Sequence, residues 1–211
     1  VEMETIKLAN ADDLAGKADV VVATDEKYFI ITDDGMVYLK PEYRGAVGTQ
    51  QANSSMGKYC ASDMGAGKVG SKNGELPEEI IIPEMIGETP VNSLANATFG
   101  FNTAVKRVKL PSCITKIPNF CFYATTQLEA VTGTENVTEI GNSAFLQSNI
   151  RQAIFPKLAK LGTNAFSGCA LLCVADIGNV DSVPGGCFSS CIRLYTVRNG
   201  SNVANVGQAA F

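Results

Sequence analysis

The chain contains no histidine in its 211 residues, and that removes most hydrolytic chemistry at once. Ser-His-Asp and Cys-His nucleophile pairs, two-histidine zinc sites and histidine general bases all need an imidazole. What remains is carboxylate pairs and lysine-activated serines. The pairs Asp12-Asp13, Asp33-Asp34 and Glu78-Glu79 are adjacent in sequence, so in extended backbone their side chains diverge, and each sits beside a turn or a strand start. Met64-Gly65-Ala66-Gly67-Lys68 has the texture of a phosphate loop. However, Ser62 stands five before Gly67 where that loop has glycine, and Val69 stands where a Ser or Thr would meet magnesium. Cys169 and Cys173, like Cys187 and Cys191, are four apart rather than the three of a zinc knuckle. These residues predict no catalytic, cofactor or metal site.

The elements that would have to position any site are repeats. Phenylalanine recurs at Phe99, Phe122, Phe145, Phe166, Phe188 and Phe211, a nearly constant interval. Five positions before each ring stands Leu94, Ile117, Ile140, Leu161, Val183 or Val206; eight before stands Val91, Ile114, Val137, Leu158, Val180 or Val203. The residue directly before each ring is small: Thr98, Cys121, Ala144, Ala165, Cys187 or Ala210. After the aliphatic comes Ala95, Pro118, Gly141, Gly162, Pro184 or Gly207, mostly glycine or proline turn-makers. A fixed period of about 20–29 residues is the mark of a leucine-rich solenoid, whose units are each too small to bury their own apolar face.

A second apolar triplet follows each ring, as in Val105, Val108 and Leu110, or Leu172, Ala175 and Ile177. Its last two members are two apart, which is strand spacing with both side chains inward. The third unit is one residue shorter and uses Ile150, Ala153 and Phe155, so a deletion must be absorbed at a turn. Glu79 to Pro83 matches this strand and predicts an opening half-repeat, which starts the solenoid near residue 76. If Val108 and Leu110 point inward, the outward set is Ile81, Arg107, Lys109, Ala130, Thr132, Gln152, Ile154, Val174, Asp176, Thr196 and Arg198. Ile154 and Val174 are then expected to form an uncovered apolar spot between basic ends, of the kind that marks a contact.

Leu161-Gly162-Thr163-Asn164-Ala165-Phe166-Ser167-Gly168-Cys169, followed by Leu172 and Ile177, resembles the BspA-like leucine-rich repeat over roughly residues 76–211. The first unit departs from it, with Asn102 in place of the cysteine. The resemblance implies a right-handed solenoid with a parallel sheet on its concave face, found mostly on bacterial surfaces and in adhesion-type proteins, and no enzyme. Similar repeats in prophage tail or virion components give a second expectation, a structural or receptor-binding role. The expected partner is a protein or a glycan.

Residues 1–75 are expected to form a smaller β-rich unit. Val20 to Val22, Tyr28 to Thr32 and Met36 to Lys40 predict a three-stranded meander with a turn at Asp33-Asp34-Gly35, and Ala11 to Lys17 predicts a short helix capped by Asn10. Residues 41–74, rich in glycine and serine, predict a loop. The fold class is therefore mostly β with short turns and 3-10 segments.

A formal charge of -4 and no long basic run argue against nucleic acid. No apolar run approaches the length of a membrane-spanning helix, which argues against insertion of that kind. The start Val1-Glu2-Met3-Glu4 lacks the features of a signal peptide. The expected location is the cell surface, or a virion or the cytoplasm if Met3 is the initiator. Seven cysteines is an odd count, and the slot three positions after the ring reads Asn102, Thr125, Ser148, Cys169 and Cys191. That pattern predicts a ladder of small polar or free thiol groups. Asn53, Asn96, Asn136 and Asn199 open glycosylation-type triplets, relevant only in a eukaryotic secretory pathway. The stop at Phe211 in mid-unit predicts that a further segment, another chain or a second copy covers that end.

Overall fold

The computed structural model describes residues 23–45 and 73–211. The expected helix at Ala11 to Lys17, the strand at Val20 to Val22, Asp12-Asp13 and residues 46–72 of the glycine-rich loop lie outside them. Among the described residues there is no α-helix, only short strands and three-residue 3-10 turns.

In chain order the strands are β1 (Phe29–Ile31), β2 (Met36–Leu39), β3 (Glu79–Ile81), β4 (Met85–Ile86), β5 (Thr89–Pro90), β6 (Ser93–Leu94), β7 (Arg107–Lys109) and β8 (Lys116–Ile117). They continue as β9 (Ala130–Thr132), β10 (Glu139–Ile140), β11 (Gln152–Ile154), β12 (Lys160–Leu161), β13 (Val174–Asp176), β14 (Ser182–Val183), β15 (Thr196–Arg198) and β16 (Asn205–Val206). From β6 onward a two-residue strand alternates with a three-residue strand. Each kind pairs in parallel with its counterpart one unit away, as a solenoid requires, except at β6/β8, β9/β11 and β12/β14, where the ladder is interrupted. The opening half-repeat is present, since β3 pairs in parallel with β7, Ile80 opposite Val108.

The six rings stand in single file. Successive centroids from Phe99 to Phe211 are 5.2, 5.0, 4.9, 5.4 and 5.4 Å apart, with interplanar angles between 1° and 15°. Around each of the first five rings the residues two before and two after are left-handed: for Phe122, Phe120 at φ 56° and Ala124 at φ 50°; for Phe145, Ser143 at 53° and Gln147 at 59°. That alternation turns every second amide toward the next coil. Ala97, Phe99 and Phe101 donate to the carbonyls of Asn119, Cys121 and Tyr123. The alternate amides, such as Gly100 to Ala97 and Asn102 to Phe99, bond within the coil, so the buried backbone is satisfied by both kinds in turn. The alternation also explains the small residue before each ring, because its carbonyl accepts the preceding ring residue's amide at 2.6–2.9 Å.

The predicted slot ladder is present and its members face the core. Asn102, Thr125, Ser148 and Cys169 are fully buried. Thr125 Oγ1 donates to the carbonyl of Phe99 at 3.0 Å, Cys169 Sγ to that of Phe145 at 3.0 Å and Cys191 Sγ to that of Phe166 at 3.1 Å. All six described cysteines are free thiols.

β1 and β2 form the expected hairpin through Asp33-Asp34-Gly35, Phe29 opposite Leu39. The third strand of that sheet is β6, paired in parallel with β2, Val37 beside Leu94. Phe29, Val37, Leu39 and Tyr43 join the same apolar cluster as Ile80 and Phe99, so the hairpin shares the solenoid's core. Within the residues expected as loop, Pro41–Tyr43 and Asn73–Glu75 are 3-10 turns.

Candidate functional site

The three-residue strands present two rows of outward side chains. The first runs Glu79, Arg107, Ala130 in register, then Gln152, Val174, Thr196; the second runs Ile81, Lys109, Thr132, then Ile154, Asp176, Arg198. Arg107, Lys109, Thr132, Gln152 and Arg198 are exposed, while Ile154, Asp176 and Thr196 are half-buried.

Register corrects the expected apolar spot. Val174 lies beside Gln152, and Ile154 beside Asp176, so the two aliphatic side chains are diagonal rather than direct neighbours. Val174 is also only 7% exposed. It is short and stands between the longer Gln152 and the branched Thr196, about 4.8 Å away on each side. Of the two, Ile154 alone offers apolar surface.

Charge on the face is partly closed by pairs the sequence did not announce. Arg107 Nε lies 3.5 Å from Glu79 Oε1, and Lys106 Nζ lies 2.6 Å from Glu78 Oε1. The Lys106 hydrogen bond holds the Glu78 carboxyl below its usual range. Asp176 Oδ1 accepts from Asn199 Nδ2 at 2.7 Å and from the Gly178 amide at 3.1 Å, so this carboxylate braces the turn after its own strand. A signal for Lys106 was legible: Lys106, Glu129, Cys173 and Tyr195 all fall seven positions after a ring, with Arg151 six after in the shortened unit. They form the leading edge of the face, joined by hydrogen bonds from the backbone amides of Glu129, Arg151, Cys173 and Tyr195 to the carbonyls of Lys106, Glu129, Arg151 and Cys173 in turn. Tyr195 is 76% exposed.

Three of the described carboxylates considered for chemistry, Asp34, Glu78 and Glu79, have structural partners. Asp34 accepts from the Thr32 hydroxyl within the hairpin turn, which lowers its pKa, and Glu78 and Glu79 are in the ion pairs above. Burial pushes the Cys121 and Cys187 thiols well up, whereas the neighbouring Cys169 thiol lowers Cys191. Among the described residues no three acidic or thiol groups converge as a metal site, and no helix is long and apolar enough to cross a membrane. At the far end Val206 and Phe211 are 61% and 62% exposed, while Phe211 still stacks on Phe188.

The profile of the BspA type leucine rich repeat region matches in six copies across residues 88–211. The chain belongs to that family. Among solved structures, the leucine-rich repeat protein of T. pallidum is 17% identical, with 88% of this chain and 86% of that one covered at a TM-score of 0.51, and it shares the fold of this family member. A leucine-rich repeat protein from Bacteroides ovatus is 15% identical over 85% of this chain and 53% of its own length, TM-score 0.42. A leucine rich cell surface protein from Faecalibacterium prausnitzii is 18% identical over 89% and 73%, TM-score 0.45. No curated protein gives a significant match. As a BspA-type repeat protein the chain is a parallel-strand solenoid, consistent with a protein-interaction or surface-repeat module.

Proposed function

We propose that this repeat protein is a non-enzymatic recognition module that binds a protein partner through its outward strand face. The observation behind the reading is the pair of in-register rows, with Ile154 and Thr132 near their middle and Arg107, Lys109 and Arg198 toward their ends. One aliphatic side chain, Ile154, among polar and arginine side chains is a small version of the apolar core and polar rim of protein interfaces. Among the described residues, Asp34, Glu78 and Glu79 are engaged in a turn and in ion pairs, which favours recognition over turnover. Six strands at about 4.8 Å make a face about 24 Å wide. Three-residue strands at about 3.3 Å per residue make it about 10 Å deep, or about 240 Å², small beside the about 800 Å² a stable interface takes from each partner, so the partner also reaches the turns on either side. A bacterial cell surface is the setting that repeats of this family imply.

The test is a photo-crosslinking amino acid placed at Gln152 on the strand face and, separately, at Ser182 on the two-residue sheet, followed by exposure to the producing cell's surface proteins. Crosslinks to one defined protein from position 152, abolished by Ile154→Asp and absent from position 182, are expected. Equal crosslinking from both positions overturns the reading.

A further inference from the structure

The second outward row differs from the rest of the face in how its charges are met. In the first row Arg107 has Glu79, and just ahead of it Lys106 has Glu78, while Arg151 on the leading edge is in no ion pair with a described residue. In the second row Lys109 and Arg198 are exposed, and neither forms an ion pair with a described residue. The row's one acid, Asp176, is half-buried and turned to Asn199 and the Gly178 amide. Among the described residues the row therefore shows two cations without an ion pair, with Thr132, Ile154 and the turn-bound Asp176 between them and Asp176 in register beside Arg198, on a chain whose formal net charge is -4. A field of that sign on an acidic protein orients an anionic partner and repels a basic one.

Geometry narrows the partner. Lys109 on β7 and Arg198 on β15 are four strand steps apart, about 19 Å at about 4.8 Å per step. An extended segment crossing the strands covers that span in about six residues at about 3.3 Å each. We propose that the second row takes an extended acidic segment of the partner protein, with carboxylates about six residues apart on Lys109 and Arg198 and a small apolar or hydroxyl residue between them over Thr132 and Ile154. This rests on the strand face being the binding surface. The first row, closed by Arg107 and Glu79, contributes shape rather than charge. Salt sensitivity follows, because both cations are exposed and screened.

The experiment uses the full chain and synthetic peptides of about twelve residues, read by fluorescence anisotropy at about 0.05 M and about 0.5 M salt. One peptide carries two glutamates six apart around Thr and Ile, one has lysines in their place, and one has its glutamates two apart. The six-spaced acidic peptide is expected to bind about tenfold more tightly than either control at low salt, the scale of two exposed ion pairs, and to lose that margin at high salt. Lys109→Glu combined with Arg198→Glu should reverse the preference toward the lysine peptide; both sites are exposed, so the fold survives the exchange. Equal binding of acidic and basic peptides, no binding of any peptide, or an unchanged preference in the charge-swapped protein overturns the inference. If crosslinks from position 152 persist while the acidic preference is missing, only this inference falls; if those crosslinks are missing too, the strand-face reading falls with it.

Discussion

The Thr134 hydroxyl donates to the main-chain carbonyl of Ile154 across 2.6 Å, where an amide stands at the other strand junctions. Elsewhere the residue after each strand donates its own amide: Ile82 to Lys109, Leu110 to Thr132, Phe155 to Asp176, Ile177 to Arg198. Between β9 and β11, where the unit is one residue short, the paired ladder is interrupted and a side chain bridges it. Thr134→Val should leave a part-buried carbonyl unpaired and cost about 1–3 kcal/mol, while Thr134→Ser should cost less. Urea unfolding of both variants checks this; equal midpoints would show that the bridge contributes nothing.

The ring file predicts a gradient along the chain. Phe145 is fully buried between two parallel rings. Its truncation, Phe145→Ala, should cost about 3–5 kcal/mol. Phe211 has a ring on one side only and is mostly exposed. There Phe211→Ala should cost about 1 kcal/mol or less. Thermal or urea melts of the two variants measure the difference, and similar losses would contradict a shared spine.

Left-handed positions separate tolerated from forbidden side chains. Gly133 has φ +73°, and a Cβ there would come within 2.3 Å of the Leu110 carbonyl oxygen, so Gly133→Ala meets both strain and backbone overlap. A loss above about 2 kcal/mol is expected. Ala124, at φ 50°, already bears the left-handed cost. Its replacement, Ala124→Gly, should be neutral or stabilising by about 0.5 kcal/mol once glycine's greater unfolded entropy is offset. Circular dichroism melts decide both signs.

Thiol reactivity should rank by environment. Cys191, half-buried and lowered by the Cys169 hydrogen bond, should alkylate faster than Cys113, which is also half-buried but raised by burial and by Glu84. A lowered pKa means that the thiolate of Cys191 persists as pH falls below the range of an ordinary thiol, so its labelling rate should decline later than that of Cys113. Iodoacetamide labelling mapped by mass spectrometry across pH provides the measurement, and faster labelling of Cys113 would reverse the assignment.

Much of this architecture was legible because stacking repeats one environment at a fixed interval. Phe99 and Phe188 lie four units apart yet share a file, and the slot from Asn102 to Cys191 reads as a ladder from spacing alone. The outward face was only half legible. Its members follow from strand alternation, but Val174 and Asp176 have their surfaces decided by neighbours one unit away in sequence.

The sequence by itself determined the period, the inward set and the identity of the stacked rings, since each depends on spacing within a unit that a solenoid copies. The tertiary structure decided which outward side chains stay open, how the short third unit is bridged by Thr134, and that β2 extends the coil sheet beside β6. Those outcomes depend on cross-strand register and on distances of a few ångströms between units, which a linear pattern does not encode.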